Sequence, residues 1–156
     1  MVDFMRIVRN VIERADVLVL LLDSRMVEES RNLAIEANVR ASGKPLIYVI
    51  TKCDLVERGV LDKWNKTLKP CVFVSATKYH GLAILKERLQ IEATRYGIRG
   101  AKIRVGVLGY PNVGKSSLVN AMTGRGSAQT SSLSGHTKAK KFVAVGTGLV
   151  YPADAA

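Results

Sequence analysis

Gly109-Tyr110-Pro111-Asn112-Val113-Gly114-Lys115-Ser116 is the stretch on which the reading of this chain turns. It fits GxxxxGK[ST], with an apolar run, Ile103 to Leu108, before it and a helix expected from about Lys115 to Gly124 after it. Glycine at both ends of such a loop lets backbone N–H groups curl inward around phosphate oxygens. The helix that opens there adds the partial positive charge of its N-terminus. Asn112, Val113, Gly114, Lys115, Ser116 and Ser117 are therefore the expected phosphate-binding set. Lys115 is expected to reach the β- and γ-phosphates as a catalytic cation, and the Ser116 hydroxyl to ligate Mg²⁺.

Outward from this loop, strand-like and helix-like segments alternate. Asp16 to Leu22, Pro45 to Ile50, Cys71 to Val74 and Ile103 to Leu108 are apolar runs that suit strands covered on both faces, the usual condition of a parallel sheet. Between them, helical spacing is expected at about Arg31 to Ala41, Glu57 to Leu68 and Gly81 to Tyr96. The first segment, with Ile7, Val8, Val11 and Ile12 on one stripe, reads as an amphipathic helix. Arg125 to Gly135 reads as a Ser-, Gly- and Thr-rich loop, and Lys140 to Val145 with Leu149 to Tyr151 as an antiparallel hairpin. Gly97 to Gly100 is a short joint within one domain. The fold class is α/β, a three-layer doubly wound and mostly parallel sheet, whose ligands bind at the carboxyl ends of the strands.

One such strand end carries Thr51-Lys52-Cys53-Asp54, similar to the NKxD motif that reads guanine. The Asp54 carboxylate offers two acceptor oxygens to the ring N–H and exocyclic amine of guanine; adenine presents no such donor pair. The Lys52 stem is expected to cover one face of the base while its ammonium stays solvated. Thr51 stands where asparagine is usual, and a hydroxyl does not reproduce both the donor and the acceptor of a carboxamide. Taken alone, this tetrapeptide also fits an ordinary strand-end turn. Ser75-Ala76-Thr77, after the third apolar run, resembles the SAK loop whose backbone amides reach the guanine carbonyl, with the lysine shifted by one. The expected guanine-binding set is thus Thr51, Lys52, Asp54, Ser75, Ala76 and Thr77.

Composition bounds the remaining possibilities. The 156 residues suffice for one buried core. The longest apolar run, Val17 to Leu22, is far shorter than the roughly 20 residues of a membrane-spanning helix. Asp3 and the spaced apolar positions of the first segment do not match a secretory signal, so a cytoplasmic protein with no membrane partner is expected. Cys53 and Cys71 lack metal-site spacing and read as buried, reduced thiols. A net charge of +11 and a pI near 10.0 favour a polyanionic partner, nucleic acid first among them, although a basic pI does not say where the charges sit.

Read in order, TKCD, SAT, GYPNVGKSS and SGHTK resemble the circularly permuted GTPases that assist ribosome assembly. Asp23-Ser24-Arg25 and Ser30-Arg31-Asn32 are similar to the DAR and SRN elements that the family carries ahead of its base-reading loop. The resemblance implies a Ras-like core in permuted order over residues 1–156, stopping before the family's DxPG motif. Its implied ligand is GTP or GDP with Mg²⁺, and its implied partner is ribosomal RNA or a ribosomal subunit. It also implies that Thr137 is a catalytic switch residue contacting Mg²⁺ and the γ-phosphate. Asn112 either helps to hold K⁺ beside the phosphates, as in potassium-dependent relatives, or simply supports the turn. Lys138, Lys140, Lys141, Arg95, Arg99, Lys102 and Arg104 are candidates for RNA contact, and His80 and His136 read as surface residues. Without DxPG, hydrolysis is expected to be slow, and a nucleotide-binding scaffold or RNA-binding module without turnover is the alternative.

Overall fold

The computed structural model describes residues 2–98, 103–110, 113–123, 143–145 and 148–152. Its centre is β1 (Val17–Asp23), in which all seven residues are buried. The chain runs from α1 (Val2–Arg14) into β1, then through the short α2 (Val27–Ser30) and α3 (Leu33–Ser42) to β2 (Leu46–Thr51). It continues through α4 (Arg58–Thr67) to β3 (Cys71–Phe73), then through α5 (Leu82–Arg95) to β4 (Arg104–Leu108). It ends with α6 (Lys115–Thr123) and the strands β5 (Val143–Val145) and β6 (Gly148–Pro152).

The strand order is β3-β2-β1-β4-β6-β5. Every pairing is parallel except that of β5 with β6. The sheet therefore grows outward in both directions from β1. Its winding reverses between β1 and β4, which places the ligand crevice of a doubly wound sheet beside their carboxyl ends.

Strand period 2 sends β1 side chains alternately to two cores, as an all-apolar strand must when helices cover both faces. Leu18, Leu20 and Leu22 pack with Val8, Val11 and Ile12 of α1 and with Ile35 and Val39 of α3. Val17, Val19 and Leu21 pack with Leu85 and Leu89 of α5 and with Leu118 and Val119 of α6. Each fully buried aliphatic side chain of this kind stabilises the fold by about 1.5–3 kcal/mol. The layers are thus helix, sheet, helix, as expected. Among the described residues no helix is long and apolar enough to cross a membrane.

The differences from the sequence reading have local causes. The helix expected from Arg31 begins at Leu33, because Asn32 is extended and its side-chain oxygen accepts from the N–H groups of Ala34 and Ile35 as an N-cap. The four-residue α2 has too few positions to show a period in sequence. Cys53 and Cys71 are free thiols as expected, but they are half-buried rather than buried. Burial pushes the Cys71 thiol up to about 12 and also raises Cys53, so both stay protonated. The hairpin falls on β5 and β6, whereas the expected loop from Arg125 to Gly135 lies outside the described residues.

Gly106 allows α1 to lie directly on β4. A Cβ there would meet Val11 Cγ1 at 2.7 Å, Leu18 Cδ1 at 2.9 Å and the Ala15 Cβ at 3.0 Å. Gly106→Ala should lower stability by about 1–3 kcal/mol through overpacking. Thermal unfolding checks this; an unchanged Tm would show that α1 has room to move off the sheet.

Candidate functional site

A cleft of about 270 Å³ opens at the carboxyl ends of β2, β3 and β4. Thr51, Lys52, Asp54 and Leu55 line it from the end of β2, and Val74, Ser75, Ala76 and Thr77 from the end of β3. Gly114, Ser117 and Leu118 line it from the loop and helix after β4. All six residues of the expected guanine-binding set thus share one cavity with part of the phosphate-binding set, across more than 60 residues of chain. Parallel register produces this meeting, because Asp23 is paired with Thr51 and Leu20 with Leu108 across β1.

The phosphate side is built from a close approach of backbone. Gly114 has a φ of 107°, in the region that favours glycine, and its carbonyl accepts from Leu118 to start α6. Val113 is buried against the sheet, and Lys115 is only 5% exposed. The Lys115 ammonium donates to the Gly109 carbonyl at 2.8 Å and the Tyr110 carbonyl at 3.0 Å, so it lies folded across its own loop. Ser116 is exposed on the first turn of α6, and Ser117 turns into the cleft. Asn112 and Thr137 lie outside the described residues, as do Ser134, His136, Lys138, Lys140 and Lys141. His80 is exposed, as expected, and its backbone bridges to Ser75.

The base-reading side is held by bonds that the sequence does not reveal. The Thr51 hydroxyl donates to the Val113 carbonyl at 2.8 Å, with the Leu22 carbonyl farther off at 3.3 Å. A hydroxyl has one proton, and the shorter contact takes it. Thr51 therefore ties the two loops to each other. Lys52 sits in the left-handed region at φ 60°, and this turns the chain into the short helix that carries Asp54. Asp54 is exposed at the rim, and among the described residues no ion pair or hydrogen bond occupies its carboxylate. Ser75 is fully buried, and its hydroxyl oxygen accepts from the Lys78 N–H, which closes the loop.

The Asp23-Ser24-Arg25 segment grips this loop from β1. Ser24 donates through its N–H to the Thr51 carbonyl at 3.0 Å and through its hydroxyl to the Lys52 carbonyl at 2.7 Å. The Asp23 carboxylate accepts two bonds from the Arg25 guanidinium and one, at 3.1 Å, from the Lys52 ammonium. This corrects the expectation that the Lys52 head is merely solvated. Arg25 hydrogen bonds chiefly, with Lys52 adding to them against the cost of burial, hold the Asp23 carboxyl well below the usual carboxylate range.

The Ser30-Arg31-Asn32 segment supports the phosphate side. The Asn32 amide donates to the Tyr110 hydroxyl at 2.9 Å. Arg31 forms a bidentate pair with Glu36, which is wholly buried and also accepts from Tyr48. Burial alone would raise the Glu36 carboxyl; the Arg31 and Tyr48 hydrogen bonds outweigh it and lower it. Sequence alone gives these two tripeptides no task, because their partners are 28 to 78 residues away.

A family model described as "50S ribosome-binding GTPase" matches residues 104–153. An uncharacterised GTP-binding protein from Methanocaldococcus jannaschii is 43% identical over 139 residues, spanning 88% of this chain and 37% of that protein. A nuclear GTP-binding protein from Saccharomyces cerevisiae is 33% identical over 143 residues, spanning 80% of this chain and 27% of its own length. The chain thus spans roughly a third of the curated relatives it matches. The GDP-bound structure of TM YlqF superposes with a TM-score of 0.59 at 15% identity, covering 92% of this chain and 55% of that one, a likeness of fold. In the present chain β2, which leads to Asp54, precedes β4, which leads to Gly114, although both feed one cleft. The chain belongs to the circularly permuted P-loop GTPases. Within it, the half of the sheet that carries β2 precedes the half that carries β4.

In this domain, the ion pairs of the depressed Asp23 carboxyl stabilise the fold fully above its ordinary value of 3.8, and they are lost as pH falls through that value toward the lower folded one. Asp23→Asn should therefore lower the denaturation midpoint at neutral pH and narrow its gap to the parent protein in acid. A gap that stays constant from neutral pH down to acid would show that the ion pairs contribute nothing.

Proposed function

We propose that the cleft binds GTP and GDP, with Asp54 reading the guanine edge, Lys52 covering the base, the Ser75 to Thr77 loop offering backbone donors and the loop at Gly114 holding the phosphates. The observation that carries this reading is the single cavity lined by both Asp54 and Gly114. Asp54 has its acceptors available at the rim, and Lys115 already lies across the phosphate loop with its ammonium on two carbonyls. Exchange of those carbonyls for phosphate oxygens needs only a change of partner.

Mg²⁺ fits the chemistry of this site. It prefers oxygen ligands and is usually bound by one or two protein groups together with substrate phosphates, not by an all-protein cage. Among the described residues no cluster of three His, Cys, Asp or Glu competes for it, and the Ser116 hydroxyl is exposed beside Lys115. Ser116 and, by family resemblance, Thr137 would hold the ion, which when bound neutralises charge on the phosphates. Asn112 is the residue that would support K⁺.

We further infer that the whole protein acts as a GTPase on ribosomal particles, with ribosomal RNA as partner, and works where those particles are built, in the cytoplasm or the nucleus. The description of the matching family, the relatives' names and the charge of +11 support this reading. The alternative, a binding module without turnover, differs in one measurement. Phosphate release above that of a Lys115→Ala control at saturating GTP, Mg²⁺ and K⁺ is expected of the enzyme; stoichiometric binding without release would establish the module.

Asp54→Ala should weaken GDP binding by at least about 2 kcal/mol, roughly thirtyfold, the scale of lost charge-assisted hydrogen bonds. Titration calorimetry tests this, and an unchanged dissociation constant would remove Asp54 from the base site.

A further inference from the structure

The end of the sheet opposite the nucleotide cleft carries two adjoining grooves. One, of about 480 Å³, is lined by Lys66, Lys69, Arg88 and Arg95 around Pro70 and Cys71. The other, of about 280 Å³, shares Lys69 and Pro70 and adds Arg40, Lys44 and Tyr96. Together their walls hold six cationic side chains and one carboxylate, Glu92. The whole chain has 24 against 13, so the grooves are far more basic than the composition requires. Glu92 is itself buried and already neutralised, with Arg88 at 3.4 Å and Arg95 at 3.3 Å.

The cations are not all held alike. Lys44 caps the end of α1 through the carbonyls of Ile12 and Glu13, and Arg40 leans on Glu36. Lys66 and Lys69 are exposed, and among the described residues neither has a carboxylate partner. Tyr96 stands 54% exposed at the end of α5, in the groove it shares with Lys69. A basic channel with an exposed aromatic ring on its wall has the chemistry that binds a single-stranded nucleic-acid backbone: cations track the phosphates and the ring stacks on a base.

We propose that this two-part groove is a second binding site, for single-stranded RNA, separate from the guanine cleft. Lys66 and Lys69 neutralise phosphates, and Tyr96 is the stacking platform. The two ligands can be held together, because the cleft lies at the carboxyl ends of β2 and β3 and the groove at their amino ends. The proposal rests on the RNA part of the reading above, and gives that partner an address on the molecule.

The test uses fluorescence anisotropy of labelled oligouridylate across a salt series. Lys66→Ala with Lys69→Ala is chosen because neither lysine neutralises a buried acid, whereas Arg88 and Arg95 do. The double variant should lose about tenfold in affinity at low salt, and its log–log salt slope should fall by about 1.4, the value for two phosphate contacts to a single strand. Tyr96→Ala should lose about fivefold or more with its slope unchanged. GDP affinity and Tm should match the parent in both. Arg6→Ala with Arg9→Ala, exposed on α1, serves as the control and should change the RNA affinity far less. Equal losses from the two double variants would show diffuse attraction and overturn the groove while leaving RNA binding intact. No binding by the parent protein would overturn the RNA reading itself, and the guanine assignment would stand on its own titration.

Discussion

The cleft depends on one short contact, the Thr51 hydroxyl against the Val113 carbonyl, made between loops 62 residues apart in sequence. Each loop is the exit of a buried parallel strand, and β1 lies between those strands as a spacer of fixed width. Neither loop could hold the position of the other if that spacer changed register, since a shift of one residue would turn every β1 side chain to the opposite core. The continuous apolar run of β1 therefore has a role beyond burial: it sets the distance between the loop that carries Asp54 and the loop that carries Gly114. The threonine that weakens the match to the familiar tetrapeptide serves this coupling directly.

Around that contact, the polar residues form two braces on the strand-end side of the sheet. Asp23 and Ser24 hold the base-reading loop from β1; Asn32 holds Tyr110 at the entry to the phosphate loop. Both braces issue from the segment that follows β1, the same central strand. The buried Glu36 with Arg31 and Tyr48 sits behind them, and fixes the start of α3 in a place where an unpaired carboxylate would be costly.

Much of this was legible in the sequence, and the parts that were not share a cause. Apolar runs of five to seven residues mark β1, β2 and β4, and GxxxxGK[ST] carries its own structural context. Asp54 stands out as a candidate because a carboxylate with two acceptors matches guanine, and it lies on the cleft. What eluded sequence reasoning were contacts between distant residues of common types: a serine hydroxyl on the Lys52 carbonyl, an asparagine on a tyrosine. The tripeptides holding these residues stood out, but no local rule says which backbone group a serine will find across a sheet. Lys52 was misjudged for the same reason, because its partner Asp23 becomes its neighbour only when β1 and β2 pair. The grooves at the far end were illegible too, because net charge counts lysines without locating them.

The wiring of the sheet also bears on how the molecule is assembled. The pairings of β1 with β2 and of β2 with β3 join near neighbours in the chain, whereas the pairing of β1 with β4 brings Val17 beside Val105 and must close a far longer loop. Loop-closure entropy rises with the length enclosed, so the near pairings are favoured to form first. During synthesis the strands that carry Asp54 and Ser75 therefore emerge before the loop that carries Gly114 has been made. Here the shelf at the ends of β2 and β3 becomes a cleft only when β4 docks and brings Gly114, Ser117 and Leu118 against it.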